Sequence, residues 1–225
     1  MHINRLMLCT DKLTEMKDFY VKKLGFALID ESMNGFKIAV GSSELEFAFD
    51  DAVSHPHYHV AFNIPSNKFN EAKEWAKARV SLNVENGQDE AYFDFFSAHA
   101  LYFSDPSGNV IELISRHEIN AVQEEPFSMQ SFLNISEIGV TVHDVARAAD
   151  ELNSIGISKM NNGLIDRTSI NFMGEKNEGV FIILNQPGRR WIFSDKISNA
   201  FPLSMTLSTK DVIEVDTGGV LRTIR

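Results

Sequence analysis

The chain has 225 residues, a formal net charge of −10, 44% hydrophobic residues and 23% charged residues, which is the composition of a globular protein with one large core or two modest ones. The acidic balance argues against a nucleic-acid surface, and no apolar run approaches the roughly 20 residues that span a membrane. With one cysteine, Cys9, and no secretory pattern in M-H-I-N-R, we expect a cytoplasmic protein without internal disulfides.

The first quarter of the chain predicts one strand, one helix and three further strands. Apolar residues favour a strand over 3–10, and they recur at helical spacing from Leu13 to Leu24, where Gly25 ends the helix. Three strand candidates follow at 26–31, 35–40 and 44–49, separated by turn-forming residues. This order is a βαβββ unit.

The same order begins again further along the chain. A second unit extends from a strand at 58–64 to a strand at 109–115, and a third begins with a strand at 135–142. A fourth strand start at 203–208 leaves no room for a complete unit. We therefore predict an α+β fold in which paired βαβββ units form a curved mixed-sheet cleft, followed by a degenerate further copy. The predicted domain limits are 1–118 and 132–225, with a linker at 119–131.

The most distinctive stretch, 100–115, reads A-L-Y-F-S-D-P-S-G-N-V-I-E-L-I-S and predicts a hairpin. Its turn contains Gly108, which supplies the positive φ that a chain reversal needs. In the second strand, Glu112 shares one face with Val110 and Ile114. A carboxylate between two apolar residues is costly to bury unless a charged group meets it. Either that face is in contact with water or Glu112 has a partner.

Two histidines are candidate partners of Glu112. His59 lies on the strand face opposite the apolar residues Val60, Phe62 and Ile64. We expect that apolar face to pack on the helix of the same unit, so His59 points away from the helix. A hairpin that pairs Ser104 with Asn109 would put His99 on the face of Glu112. Lone strand histidines are usually solvated or structural, but His59 and Glu112 together contradict a purely apolar face. Two imidazoles and a carboxylate suit a divalent first-row metal or an acid–base pair.

Three motifs in this order resemble the vicinal oxygen chelate superfamily, which includes glyoxalase I, bleomycin- and fosfomycin-resistance proteins and extradiol dioxygenases. The motifs are D-F-Y-V-K-K-L-G-F, H-V-A-F-N-I and Y-F-S-D-P-S-G-N-V-I-E-L. They cover the first half of the chain, and the part from Ile135 onward resembles an incomplete copy. The resemblance implies the fold but no particular reaction.

The resemblance implies that metal ligands come from the first and last strands of each unit. It places His59, Glu112 and Glu46 at ligand positions. The chain departs from the family pattern at Asn4, where a histidine or glutamine would be expected. An asparagine is a weaker ligand than imidazole for a first-row ion, and His2 could replace it if the register moves by two residues.

The incomplete copy offers fewer ligands. Glu137 takes the ligand-like place on its first strand, and Ser204 falls where a histidine would be. The segment Q-P-G-R-R-W adds two cations and an indole. This copy could cover an open sheet edge or build a homodimer interface. Alternatively, Arg189 or Arg190 could bind an anionic substrate at the mouth of the cleft.

Two functions remain open at this point. In the first, His59, Glu112 and one or both of Glu46 and Asn4 hold Fe²⁺, Mn²⁺, Zn²⁺ or Ni²⁺ in a glyoxalase- or dioxygenase-type enzyme. Its small substrate would have neighbouring oxygens, and Glu46 or His99 would move a proton. The alternative is a protein that binds or sequesters a small molecule without metal, with a vestigial metal site. The aromatic run 92–96 could line the cleft of such a binder.

Overall fold

The computed structural model describes residues 1–225, which form two curved, mixed sheets of seven strands each. The first sheet contains β1 (Ile3–Thr10), β2 (Leu28–Ser32), β3 (Gly35–Val40), β4 (Ser43–Phe49), β12 (Leu203–Leu207), β13 (Val212–Val215) and β14 (Leu221–Ile224). The second contains β5 (His59–Ile64), β6 (Ala91–Phe93), β7 (Ala98–Ser104), β8 (Val110–Arg116), β9 (Asn134–Thr141), β10 (Asn171–Met173) and β11 (Phe181–Asn185). The predicted α+β fold of paired βαβββ units is confirmed.

Short helices connect the strands. They are α1 (Leu13–Lys17), which continues as π-helical turns over Asp18–Leu24, α2 (Phe69–Lys77) and α3 (Val145–Ser154). Gly25 ends the first of these helical segments with φ +90°, a conformation that glycine adopts without a steric penalty. None of these helices could span a membrane.

The sequence does not reveal which of the βαβββ units share a sheet. The strand order is β14-β13-β12-β1-β4-β3-β2 in the first sheet and β10-β11-β9-β5-β8-β7-β6 in the second. The second unit therefore shares a sheet with the third, through antiparallel pairing of β5 with β9. The first unit joins the carboxyl-terminal strands through β1 and β12. Each sheet combines strands from both sides of the segment 119–131.

This arrangement differs from the expectation that the first and second units curve into one cleft. The first strand of every unit leaves one edge open, and any other first strand can cover the exposed backbone groups of that edge. β9 covers the edge of β5, and β12 covers the edge of β1. Because these first strands have similar patterns, the sequence alone cannot decide which two pair.

The second sheet has an apolar core on one face and a cavity on the other. Val60, Phe62 and Ile64 belong to a core of 45 buried residues that both sheets and the helices share. Ala61 belongs instead to a smaller cluster on the opposite face, with Tyr102, Trp191 and six other buried residues. The predicted alternation along β5 is therefore confirmed, and His59 faces the cavity.

The turn between β7 and β8 corrects the predicted hairpin register. The Asp105 carboxylate accepts hydrogen bonds from the backbone N–H of Asn109 (3.0 Å), from its side-chain amide (2.7 Å) and from the Tyr20 hydroxyl (2.9 Å). Burial raises the pKa of Asp105 to about 6, although these hydrogen bonds oppose the shift. Since the network holds Asn109 within the turn, Ser104 pairs with Val110. The predicted pairing of Ser104 with Asn109 is wrong by one residue.

Candidate metal centre

Three neighbouring strands bring one imidazole and two carboxylates together. His59 lies on β5, Glu112 on β8 and Glu137 on β9, and one ligand atom from each lies within 4.8 Å of the others. The sheet register explains the meeting, because Ala61 of the central strand pairs with Glu112 on one side and with Glu137 on the other. All three side chains are buried. We call this group the His–Glu–Glu group.

The imidazole of His59 is oriented toward both carboxylates. Its Nε2 lies 3.4 Å from an oxygen of Glu112 and 3.7 Å from an oxygen of Glu137. Its Nδ1 lies 3.2 Å from the carbonyl oxygen of Val110, which can accept a hydrogen bond from the tautomer protonated at Nδ1. A histidine ligand commonly uses its second ring nitrogen in this way, which leaves Nε2 free for a metal ion.

Burial makes this group electrostatically unusual. It raises the pKa of Glu112 to about 8, and the negative charge of Glu137 adds to that effect. Burial acts in the same direction on Glu137, but hydrogen bonding with His59 and the guanidinium of Arg116 outweigh it and lower the pKa of Glu137. Two desolvated carboxylates and an imidazole nitrogen form a donor set that fits a divalent cation, which would neutralise both carboxylates.

Arg116 compensates one of the two carboxylates. Its guanidinium is 1% exposed, and it donates hydrogen bonds to Glu137 and, at 3.2 Å, to the hydroxyl of Ser136. The rings of Phe96 and Phe181 lie 5.1 and 5.3 Å from it. One oxygen of Glu137 is therefore occupied by arginine, while the other faces His59. Sequence reasoning missed Arg116, although its parity with Glu112 on β8 is visible in the sequence.

The His–Glu–Glu group lies in a cavity of about 470 Å³. Aromatic and aliphatic side chains dominate its walls, namely Tyr92, Phe93, Phe95, Phe96, Ile114, Ile170, Phe172, Ile183, Trp191 and Ile192. The aromatic run 92–96 lines this cavity, as the sequence suggested. Tyr102, which pairs with Glu112 across β7 and β8, also lines it. Burial raises the pKa of Tyr102 well above 10, so its hydroxyl stays protonated.

In the third unit, the position equivalent to Glu112 has a side chain that cannot bind a metal ion. In the second unit β5 pairs Ala61 with Glu112, and in the third unit β9 pairs Gly139 with Ile183 in the same parallel register. Ile183 therefore occupies the position that Glu112 has in the second unit. Its apolar side chain lines the cavity. The group offers three protein ligands and one side open to the cavity.

Asn4 and Glu46 lie in the first sheet, and the structure does not bring them to His59. β1 pairs Arg5 with Glu44 and Met7 with Glu46, so Arg5 occupies the position that His59 has in the second unit. Arg5 donates a hydrogen bond to Glu46 at 2.8 Å, and Asn4 is exposed. An ion pair thus fills the equivalent place in the first sheet. The predicted ligand position, Asn4, is therefore wrong by one residue.

His99 lies on the face of the second sheet opposite the cavity. It pairs with Ser115, whereas Tyr102 pairs with Glu112, because the one-residue register change reverses every side chain of β7. His99 Nδ1 lies 2.7 Å from His117 Nε2, and its ring packs 5.1 Å from that of Phe69 on α2. The prediction that His99 shares a face with Glu112 is wrong.

Two family sequence models match the chain. The model described as "Glyoxalase/Bleomycin resistance protein/Dioxygenase superfamily" matches residues 2–113. The model described as "Toxoflavin-degrading enzyme" matches residues 135–189, which include Glu137 and Ile183. A comparison with curated proteins gives no significant match.

The solved structures that are similar to this chain are distant from it in sequence. "Putative dioxygenase from Bacillus subtilis subsp. subtilis str. 168" has a TM-score of 0.63 and 13% identity, over 100% of this chain and 84% of that chain. A glyoxalase/bleomycin resistance protein/dioxygenase from Alicyclobacillus acidocaldarius has 22% identity and a TM-score of 0.38, over 50% and 89% of the two chains. Lactoylglutathione lyase from Agrobacterium tumefaciens has 18% identity and a TM-score of 0.42, over 50% and 91%.

The paired βαβββ units define a protein of the glyoxalase and dioxygenase fold. Together with the two family matches, they show that this chain has the vicinal oxygen chelate fold and that residues 2–113 are similar to the glyoxalase, bleomycin resistance and dioxygenase superfamily. The matches support an enzyme of this superfamily.

Proposed function

We propose that the protein is a metal-dependent enzyme whose ion is held by His59, Glu112 and Glu137. The observation that carries the proposal is the convergence of these three buried side chains at a cavity that is otherwise mostly apolar. Without a cation, two carboxylates share this buried space and only one of them has a guanidinium partner. A bound divalent ion removes that imbalance.

The donor set favours Mn²⁺ or Fe²⁺ among the four ions considered from the sequence. Two carboxylates and one imidazole form a mainly oxygen donor set, which suits Mn²⁺, and a three-residue set with open positions is typical of Fe²⁺ oxygenases. When bound, the ion acts as a Lewis acid that polarises neighbouring oxygens of a substrate. Asn4 and Glu46 have no place in this donor set.

The cavity favours a planar substrate with an apolar body. Its aromatic walls can stack on a flat ring system and exclude water from the His–Glu–Glu group. The protonated hydroxyl of Tyr102 lies beside Glu112 and can donate a hydrogen bond to an oxygen of the substrate. His99 and Glu46 cannot move a proton in this cavity, because neither reaches it.

Dioxygenase-type chemistry is favoured over glutathione-linked isomerisation. A glutathione adduct carries carboxylates that require several cations. Of the three arginines near the cavity, Arg116 is bound to Glu137 and Arg190 to Glu85, which leaves Arg189 without a carboxylate partner. One unpaired arginine is a poor match for a tripeptide, whereas it can meet one anionic group at the mouth of the cavity.

The test is turnover by protein that has been reconstituted anaerobically with Mn²⁺ or Fe²⁺ and then given oxygen and trial substrates. The trial set contains toxoflavin, which the matching family description names, a catechol and the glutathione adduct of methylglyoxal. We expect metal-dependent loss of a flat aromatic compound, and no loss with His59→Ala. Turnover of the glutathione adduct alone would contradict the dioxygenase-type assignment. Tight binding of an aromatic compound without metal or turnover would instead support the metal-free binding protein.

A further inference from the structure

Residues 189–197 form a narrow loop over the His–Glu–Glu group, which we call the roof loop. Arg190 and Ile197 form a β-bridge, and the backbone N–H of Trp191 donates to the carbonyl of Lys196 at 2.9 Å. At its base, the Ile197 carbonyl contacts Nε2 of His57 at 3.0 Å. The loop contains the R-R-W residues that the sequence singled out.

Two rings of the roof loop stack directly on the candidate site. The indole of Trp191 stacks on the imidazole of His59, with ring centroids 5.0 Å apart and planes 29° apart. The ring of Phe193 stacks on Tyr102 at 4.6 Å and 13°. Both rings are buried. The roof loop therefore closes one side of the cavity and limits the movement of His59.

The closed roof loop contains a strained residue. Phe193 has φ +54°, in the left-handed region that side-chain-bearing residues adopt at a free-energy cost. Such a conformation persists only where surrounding contacts enforce it. The polar contact at this residue is made by its backbone N–H, which donates to the carboxylate of Glu85.

Glu85 holds the loop through two hydrogen bonds. One carboxylate oxygen accepts from the guanidinium of Arg190, and the other accepts from the backbone of Phe193. The hydrogen bonds from Arg190 and, to a smaller extent, from Phe193 lower the pKa of Glu85. The carboxylate therefore stays ionised. Arg190 also donates to the Ser194 carbonyl at 2.8 Å, which ties the two sides of the loop together.

Glu85 is itself held in place by the second unit. Its backbone exchanges two hydrogen bonds with Gln88 across the turn Asn86-Gly87, whose positive φ angles are those of a tight hairpin. The N–H of Asn83 donates to the carbonyl of Tyr102 at 2.7 Å. The segment that carries Glu85 is thus hydrogen-bonded to the strand that carries Tyr102, which lines the cavity.

We propose that Glu85 is a positioning residue that locks the roof loop with Trp191 on His59, and that release of this lock speeds exchange of the metal ion. The part that concerns exchange rests on the proposed metal function. Glu85 contacts neither the His–Glu–Glu group nor the cavity, so it acts only through Arg190 and Phe193.

The test compares Glu85→Ala with Glu31→Ala, which removes a surface ion pair with Lys17 at 2.5 Å but touches no part of the roof loop. Both are made in Trp75→Phe protein, because the chain has two tryptophans and this change leaves Trp191 as the reporter. Acrylamide quenching of Trp191 is measured in metal-free protein. The rate of Co²⁺ release into EDTA is measured in loaded protein. Urea unfolding verifies that both variants are folded.

We expect Glu85→Ala to increase both the quenching constant and the Co²⁺ release rate, the latter by roughly tenfold, which corresponds to about 1.4 kcal/mol. Glu31→Ala should change neither. Unchanged quenching in Glu85→Ala would overturn the proposal, and Arg190→Gln provides the same test from the other side of the contact. Increased quenching with unchanged release would overturn the exchange step alone. Increased quenching in a protein that binds no Co²⁺ would refute the metal function and leave the lock standing.

Discussion

The change Arg116→Met tests whether the buried charges of the candidate site are balanced as the structure shows. Arg116 and Glu137 are 1% and 6% exposed, so the variant leaves a carboxylate buried without its cation. Removal of one partner from a buried ion pair costs about 3–5 kcal/mol. For a chain of this length, each kcal/mol lowers Tm by about 2–4 °C, so the expected loss is roughly 6–20 °C.

The assay is urea and thermal unfolding in EDTA, with the double variant Arg116→Met/Glu137→Gln as the matched control. The double variant should recover most of the lost stability, because it removes the unpaired charge as well as its partner. Saturating Mn²⁺ should stabilise Arg116→Met more than it stabilises the wild type, since the ion then supplies the missing positive charge. A loss below about 1 kcal/mol, or a double variant as unstable as the single one, would refute the charge balance.

Three further outcomes are expected. Gly139→Ala would put a Cβ atom 2.7 Å from the indole of Trp191. We therefore expect the free energy of unfolding to fall by about 1–3 kcal/mol and the tryptophan emission to shift to the red. Unchanged emission would contradict the packing of Trp191 on this strand. Glu46→Gln should leave the metal content unchanged by elemental analysis, because Glu46 lies in the other sheet; loss of the ion would contradict this separation. Asp105 has a pKa raised to about 6, so its contribution to stability is complete below about pH 3.8 and is lost as the pH rises through 6. Asp105→Asn should remove about 2 kcal/mol of this pH dependence between urea titrations at pH 4 and 7, and an unchanged difference would contradict it.

The sequence predicted the strand faces better than the strand registers. The alternation of His59 with Val60 and Phe62 placed the histidine on the cavity face, because a period of two residues is readable within one strand. The position of His99 depended on the length of a turn, and a shift of one residue reverses a strand. The network around Asp105 sets that length, and it includes Tyr20, which is distant in sequence.

The ligand set could be predicted only in part. His59 and Glu112 lie on neighbouring strands of one unit, so their proximity follows from the unit itself. Glu137 has a ligand-like place in the sequence, but its meeting with His59 depends on which units pair. That choice is made by β5 and β9, and no local pattern encodes it. Arg116 lies on the same strand face as Glu112, but its role as an ion-pair partner depends on Glu137, which comes from another unit.

The measurement that tests the central claim most directly is the metal content of purified protein, compared with the variants His59→Ala and Glu137→Gln. Each protein is reconstituted with Mn²⁺ or Fe²⁺, passed over a desalting column and examined by elemental analysis, with circular dichroism as a control for folding. We predict about one equivalent of metal in the wild type and a large loss in both folded variants. A wild type without metal, or folded variants that keep it, would contradict a site built from His59, Glu112 and Glu137.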